Sequence, residues 1–362
     1  MGVCQKLLNP KHKPEFVEKL NQDYQRVREQ HANKRPRSAP IGLAQARANA
    51  AKLDWDNYQP KVPNQLGVQV IKNMSINVLR EYIDWTPFFM TWGLAGKYPR
   101  ILKDDVVGEE ATRLFADALK MLDTVEAAGE ISASGIVGIF PANSVGDDIE
   151  IYSDETRSTV LQVSNQLRQQ TEKKASFVNH SLADYVAPKS SGVADYIAAF
   201  AVTGGIGERE VADRYKAEND DYNAILVQAV CDRLAEAFAE YLHQKTRKEY
   251  WGFAADETLN NDDLIREKYQ GIRPAPGYPA CPEHSEKAVI WDLMKVEEEI
   301  GMKLTSSYAM YPGAAVSGWI FSHPESRYFA IAGIQQDQVE DYAQRKGWDL
   351  QTAERWLGPN IG

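Results

Sequence analysis

An α+β fold is predicted by three features of this sequence. Segments with apolar residues at helical spacing are mixed irregularly with short segments that are apolar throughout or alternate with period two. The strand-like segments come in neighbouring pairs joined by turns, the grammar of antiparallel pairing. Nowhere does a regular strand–helix succession mark a parallel sheet.

Residues 2–8 (GVCQKLL) read as a short strand or its end, and 13–33 as a charged helix with Phe16, Leu20, Tyr24 and Val27 three or four apart. A lone strand and helix cannot bury their apolar sides, so 1–33 reads as the last piece of a domain whose remainder lies elsewhere. Residues 34–63 carry four prolines and little periodicity, and read as an interdomain linker able to wrap over the globular part of the chain. From 64 to 362 the pattern is globular. Residues 73–83 predict a helix with Ser75 as a cap. Residues 109–128 predict another, with Ala111, Leu114, Phe115, Ala118, Leu119 and Leu122 on one stripe. The run 135–140 (GIVGIF) predicts a buried strand and 148–152 (DIEIY) a half-exposed one, with PANSVGD as the turn. Residues 221–249 predict the longest helix, and 284–300 and 336–346 two more. The stretch 316–333 reads as two strands around His323-Pro324-Glu325-Ser326.

The 362 residues carry a formal net charge of −10. Such a chain lacks the basic face that nucleic acid or an anionic membrane requires. No run approaches the roughly 18 apolar residues of a membrane span. The N-terminal segment has neither a basic region nor a long apolar stretch. Few cysteines in a long chain point to a reducing compartment, and a cytoplasmic location is expected. Cys4, Cys231 and Cys281 form no CxxC and the histidines no HExxH, so no metal site is predicted.

Three segments carry candidate chemistry. In 196–215 an apolar run, Gly204, Gly205, Gly207 and a helix follow one another as in nucleotide-binding loops. The GxGxxG and Gly-Lys-Ser/Thr spacings are both absent, and a strand end and turn before a helix explains the same residues. In 271–284 (GIRPAPGYPACPEH) four prolines and two glycines make a stiff segment with Arg273 as its one unambiguous cation. It suits the presentation of backbone groups to an adenine edge or a carboxylate, and equally a structural turn. In 82–99 Asp84 is the only acid among Trp85, Phe88, Phe89, Trp92 and Tyr98. An acid beside aromatics marks a pocket for a cationic ligand or else caps a helix; both readings fit.

Nine segments spread over the chain resemble one family: RPAPGYPACPEH, DWTPFFMTWGLAGKYPRIL, FPANSVGDDIEIY, LRQQTEK, DYVAPK, AFAVTGG, LAEAFAEYLH, SGWIFSHPESRYFA and QVEDYAQRKG. They are similar to the S-adenosylmethionine-binding reactivation domain of cobalamin-dependent methionine synthases. The resemblance implies a curved single domain with a twisted antiparallel sheet and flanking helices, binding S-adenosylmethionine without a Rossmann core. It makes 1–33 a helical remnant of the cobalamin-binding domain, 34–63 the linker and 64–362 the reactivation domain. The Asp-x-His-x-x-Gly motif for the lower cobalt ligand is absent, as are the homocysteine and folate modules. Cobalamin is therefore expected in the neighbouring domain, and the chain is expected to be a fragment that binds ligand without making methionine.

The activity so implied is reductive methylation. Cob(II)alamin receives an electron from flavodoxin or a related flavoprotein and a methyl group from S-adenosylmethionine, giving methylcobalamin. The nucleophile is cobalt, so the protein's task is positioning. Carried over on matching motifs, Arg273 would hold the ligand carboxylate and Asp84 its ammonium. Ala275 would offer backbone groups to the adenine. Gly277 would admit the backbone close to the ligand, Tyr278 closes the same motif, and Tyr328 and Phe329 form an aromatic pair near the polar end. Glu236 and Glu267 lie in matching segments; the resemblance allows them to line the cleft, and the residues themselves read as ordinary surface acids on helices. Lys97, Arg100 and Lys103, and Lys245, Arg247 and Lys248, are candidate basic surfaces for an acidic flavodoxin. Two other classes stay open: an autonomous S-adenosylmethionine-dependent methyltransferase of small molecules, and a docking module with a decayed pocket.

Overall fold

Strands form where the sequence is apolar without interruption or alternates. The computed structural model describes residues 2–32, 39–174 and 177–362. Its main sheet is antiparallel throughout and contains β1 (Gly67–Met74), β2 (Ser132–Val145), β3 (Asp148–Tyr152), β4 (Val160–Asn165), β5 (Asp195–Ile206) and β8 (Ala315–Ile320). Between β5 and β8 in sequence, β6 (Lys303–Leu304) and β7 (Met310–Tyr311) form a separate small ribbon. The helices are α1 (Gly2–Leu8), α2 (Lys13–Ala32), α3 (Leu43–Ala48), α4 (Ile76–Leu79), α5 (Thr86–Thr91), α6 (Gly108–Ala128), α7 (Glu208–Ala217), α8 (Asp221–Lys245), α9 (Asn261–Ile265), α10 (Glu286–Met294), α11 (Val296–Ile300), α12 (Gln336–Lys346) and α13 (Leu350–Leu357). The α+β class is as predicted, and so are α6, closed by left-handed Gly129, and α12. Among the described residues no helix is long and apolar enough to cross a membrane.

β5 pairs along one edge of β2, from Ser132 with Ile206 to Ala142 with Asp195. The other edge of β2 is shared, its first half by β1 and its end by β3. Side chains alternate across the sheet. Val137, Ile139, Ala198, Phe200 and Val202 join the core under α6 and α8. Ile136, Ile197, Ala199 and Ala201 join a second core with Ile290, Trp291 and Met294 of α10. Both faces are thus covered, which is why the predicted strand GIVGIF is apolar without alternation. A third, smaller core joins Leu167 to α12 and α13.

Several local expectations are corrected. Residues 2–8 are helical; with no strand partner, their backbone groups pair within the segment, and Lys6 lies over the Phe16 ring of α2. Of residues 34–63, read as a segment able to wrap over the globular part, 34–38 lie outside the described residues; 39–63 do lie on the body, and what the reading lacked is the helix α3 within them. Arg47 pairs with Asp147 and Asp341 (2.7 and 2.8 Å), and Trp251 Nε1 donates to Lys61 C=O (2.8 Å). The helix expected at 73–83 begins later, because β1 pairs with β2 as far as Met74. Ser75 does cap α4, accepting from the Asn77 N–H. β2 runs through most of PANSVGD to Val145, leaving Gly146-Asp147 as the turn. The helix at 221–249 gives way to a π turn after Lys245, and 284–300 is broken at left-handed Lys295. Residues 321–333 form no second strand, because the outer edge of β8 is already used by residues 272–274.

The glycines of 204–207 end β5 before α7, as the turn reading expects, and Gly204 has a further packing role. A Cβ there would stand 2.7 Å from both the Ala235 backbone nitrogen and Leu234 Cβ, so α8 lies against β5 at this point. Gly204→Ala should lower the unfolding free energy by about 1–3 kcal/mol, the cost of overpacking. Gly313→Ala, with nothing within 4 Å, should change it by less than about 0.5 kcal/mol. Urea unfolding of the two variants checks this.

Candidate ligand-binding site

The Pro-rich segment is held as an extra rung on the sheet. Ile272 and Phe321 exchange backbone hydrogen bonds (3.1 and 3.0 Å), and the Trp319 N–H donates to Pro274 C=O (2.9 Å). Proline is tolerated at 274 because only its carbonyl is used. Because residues 272 and 274 direct their backbone groups at β8, the backbone N–H of Arg273 points away from it and donates to Tyr328 Oη at 3.0 Å. The segment then folds back on itself. The Gly277 N–H donates to Cys281 C=O (2.7 Å) and the Tyr278 N–H to Ala275 C=O (3.1 Å). Gly277 has φ 95°, and a Cβ on it would stand 2.4 Å from His284 Cε1, so no larger residue fits without displacing the imidazole.

This construction leaves a cleft of about 280 Å³, walled by Arg273, Ala275, Tyr278, Tyr328 and Phe329. The floor includes Glu236 of α8 and Glu267. Both are exposed, as surface acids are, and both line the cleft, Glu236 from the polar edge of α8 and Glu267 from the turn after α9, which is not helical. A second hollow of about 270 Å³ adjoins the first, sharing Glu236, Ala275, Tyr278 and Val316 and adding His284 and Tyr308. Phe329 is set by stacking on His180, with ring centres 5.4 Å apart.

Arg273 is the fixed charge of the cleft. Its Nη2 lies 3.0 Å from Glu240 Oε2, with side chains 18% and 9% exposed. Burial works against the guanidinium charge, but Glu240 first and then Tyr269, Tyr328 and Glu236 outweigh it, and its pKa is raised. Asp84 stands apart from this group. Its Oδ1 accepts from the Thr86 N–H (2.9 Å) at the start of α5, and it lines neither hollow. Its segment does reach α8, since Tyr82 Oη donates to Gln244 Oε1 at 2.7 Å.

Sequence reasoning missed Glu240, His243, Arg247 and Tyr269, which lie behind Arg273. The available signal was Glu240 itself, one helical turn after Glu236, interrupting an apolar face. Arg247 is also a correction as a docking residue. It is fully buried and paired through two 2.8 Å bonds with Glu257, while Lys245 pairs with Glu249 at 3.0 Å.

Residues 75–347 match the family described as the vitamin B12 dependent methionine synthase activation domain. This chain belongs to that family. The matched span contains the Pro-rich segment, Tyr328 and Asp84. The chain is also similar to a crystal structure of the MetH reactivation domain bound to AdoHcy. The two are 63% identical with a TM-score of 0.88, over 90% of this chain and 99% of that one.

The geometry at Gly277 generates a paired expectation. Gly277→Ala combines a left-handed backbone with the clash on His284, and should lose more than the roughly 1–2 kcal/mol of the backbone alone. Gly301→Ala shares the positive φ (73°) but meets nothing within 4 Å, and should show only the backbone part. Urea unfolding curves for the two variants give the difference.

Proposed function

We propose that this chain, in the cytoplasm, binds S-adenosylmethionine and presents its methyl group for reductive methylation of cob(II)alamin to methylcobalamin. The electron comes from flavodoxin or a related flavoprotein. Cobalamin, held by the neighbouring domain of the same enzyme, supplies the nucleophile. What this chain contributes is binding and orientation. By itself it binds the ligand and makes no methionine.

The observation that carries this reading is Arg273, a fixed cation facing a cleft with two acids, in a chain 63% identical to a domain bound to AdoHcy. A zwitterionic amino-acid end needs one cation and one anion. Arg273 takes the carboxylate. The ammonium falls to Asp84 by its motif, with Glu236 and Glu267 adding negative charge from the cleft floor. Ala275, at the junction of the two hollows, offers backbone groups to the adenine, while Tyr278, Tyr328 and Phe329 exclude water from the ligand. Gly277 keeps the turn tight enough for the backbone to approach. For the flavoprotein, Lys97, Arg100 and Lys103 are exposed in one segment and give an acidic partner a basic surface.

Arg273→Ala should weaken binding of S-adenosylhomocysteine by about 2–5 kcal/mol, as for truncation of one member of a buried charge pair. Arg273→Lys should recover only part of this, because a point charge lacks the planar fork. Asp84→Asn should weaken binding less than Arg273→Ala. Calorimetric titration with circular dichroism as a folding control measures all three; a folded Arg273→Ala protein with wild-type affinity would place the site elsewhere.

Docking of reduced flavodoxin should slow as salt rises, and charge reversal at Lys97, Arg100 and Lys103 should lower its association rate. Stopped-flow association at several ionic strengths tests this, and a rate indifferent to both changes removes the docking surface.

A further inference from the structure

Behind Arg273 lies a group of buried polar side chains that line neither hollow. Glu240 and His243 come from α8, Arg247 from the π turn at its C-terminal end, and Tyr269 from the segment leading into the Pro-rich loop. Glu240 stands between two arginines. Its Oε2 is 3.0 Å from Arg273 Nη2, and its Oε1 is 3.9 Å from Arg247 Nη1. Arg247 is itself anchored, forked onto Glu257 and with its guanidinium carbon 4.2 Å from the centre of the Tyr269 ring. Tyr269 in turn meets His243 edge-on at 4.7 Å. Glu240 Oε1, Arg247 Nη1, Arg273 Nε, Tyr269 Oη and both His243 nitrogens are buried without a hydrogen-bond partner among the described residues.

So many half-satisfied groups argue against a role in stability alone, since a buried ion pair of this kind is often no better than an apolar replacement. The geometry gives them another role. Glu240 engages Arg273 at Nη2, beside the buried Nε, so the side edge of the guanidinium faces the interior. The end of the guanidinium is left for the cleft, where a carboxylate can meet two parallel donors only if the plane is held.

We infer that Glu240 is a positioning residue for ligand binding: bonded to Arg273 through Oε2 and drawn by the charge of Arg247 at 3.9 Å, it fixes the plane and the edge that Arg273 offers to the ligand's carboxylate. This rests on the assignment of Arg273 made above. It separates from that assignment because Glu240 lines neither hollow, so that its loss should affect only the amino-acid end.

The test uses the full chain and two probes, S-adenosylhomocysteine and 5′-methylthioadenosine, which keeps the nucleoside and thioether but has no carboxylate. Glu240→Ala should bind S-adenosylhomocysteine about tenfold more weakly, the low end for loss of a partner that orients a liganding side chain. Methylthioadenosine should bind as to wild type. Glu240→Gln, which keeps an acceptor at the same reach, should recover most of the loss. If Glu240→Ala does not fold by circular dichroism, Glu240→Asp, which draws the carboxylate back by one methylene, should split the two probes in the same way. Wild-type or tighter S-adenosylhomocysteine binding in these variants, or equal weakening of both probes, overturns the role of Glu240. Failure of wild type to bind S-adenosylhomocysteine, or normal binding by Arg273→Ala, overturns instead the assignment of Arg273.

Discussion

Burial of β2 and β5 on both faces is the constraint on which the rest of the structure depends. A sheet covered twice needs two helical layers close enough to exclude water, and the strands meet that need with small residues. Ala198, Ala199 and Ala201 on β5 and Gly135 on β2 leave room for large neighbours; a Cβ on Gly135 would stand 2.8 Å from Phe238 Cζ of α8. Gly204 lets the α8 backbone itself approach. The position of α8 is thereby tied to the strands, and with it the position of every polar group that α8 carries.

That tie is what makes α8 a scaffold for the cleft. Its apolar side carries Leu234 and Phe238 into the core, while Glu236 and Glu240 lie one turn apart toward the Pro-rich segment. The same sheet positions the opposite wall, because residues 272–274 pair with the end of β8, which itself pairs with β5. Both walls of the cleft are therefore referenced to one strand. A cleft built in this way holds its charges in place before a ligand arrives, which lowers the cost of ordering them on binding.

A second set of charges holds the periphery. Arg168 is buried and shared between Asp147 and Asp184, each at 2.6 Å. Asp147 also takes Arg47, which reaches Asp341 of α12, where Arg345 joins and pairs with Asp148. This network links residues near 47, 147, 168 and 341, so the segment around α3 and the C-terminal helices are bound to the β2–β3 turn. The local composition of residues 34–63, rich in proline, allows a segment that wraps over the body but does not say where it is tied, because the partners of Arg47 lie 100 and 294 residues away.

By itself the sequence determined the class of fold, the antiparallel grammar, α6 and α12, and the stiff segment bearing Arg273. Each of these is local: a period, a cap or a run of prolines acts over a few residues. The family was legible too, because nine short segments keep their residues. Tertiary structure alone decided which strand β1 joins, where the long helix turns into a π turn, and that 321–333 yields its place beside β8 to residues 272–274. It also decided that Glu236 and Glu267 face a cleft and that Glu240 stands behind Arg273. These outcomes depend on which distant backbone reaches an edge or a charge first, and a buried acid on a helix is written in the same letters as an exposed one. Burial and partner, which set the chemistry of a carboxylate, exist only once the chain has closed around it.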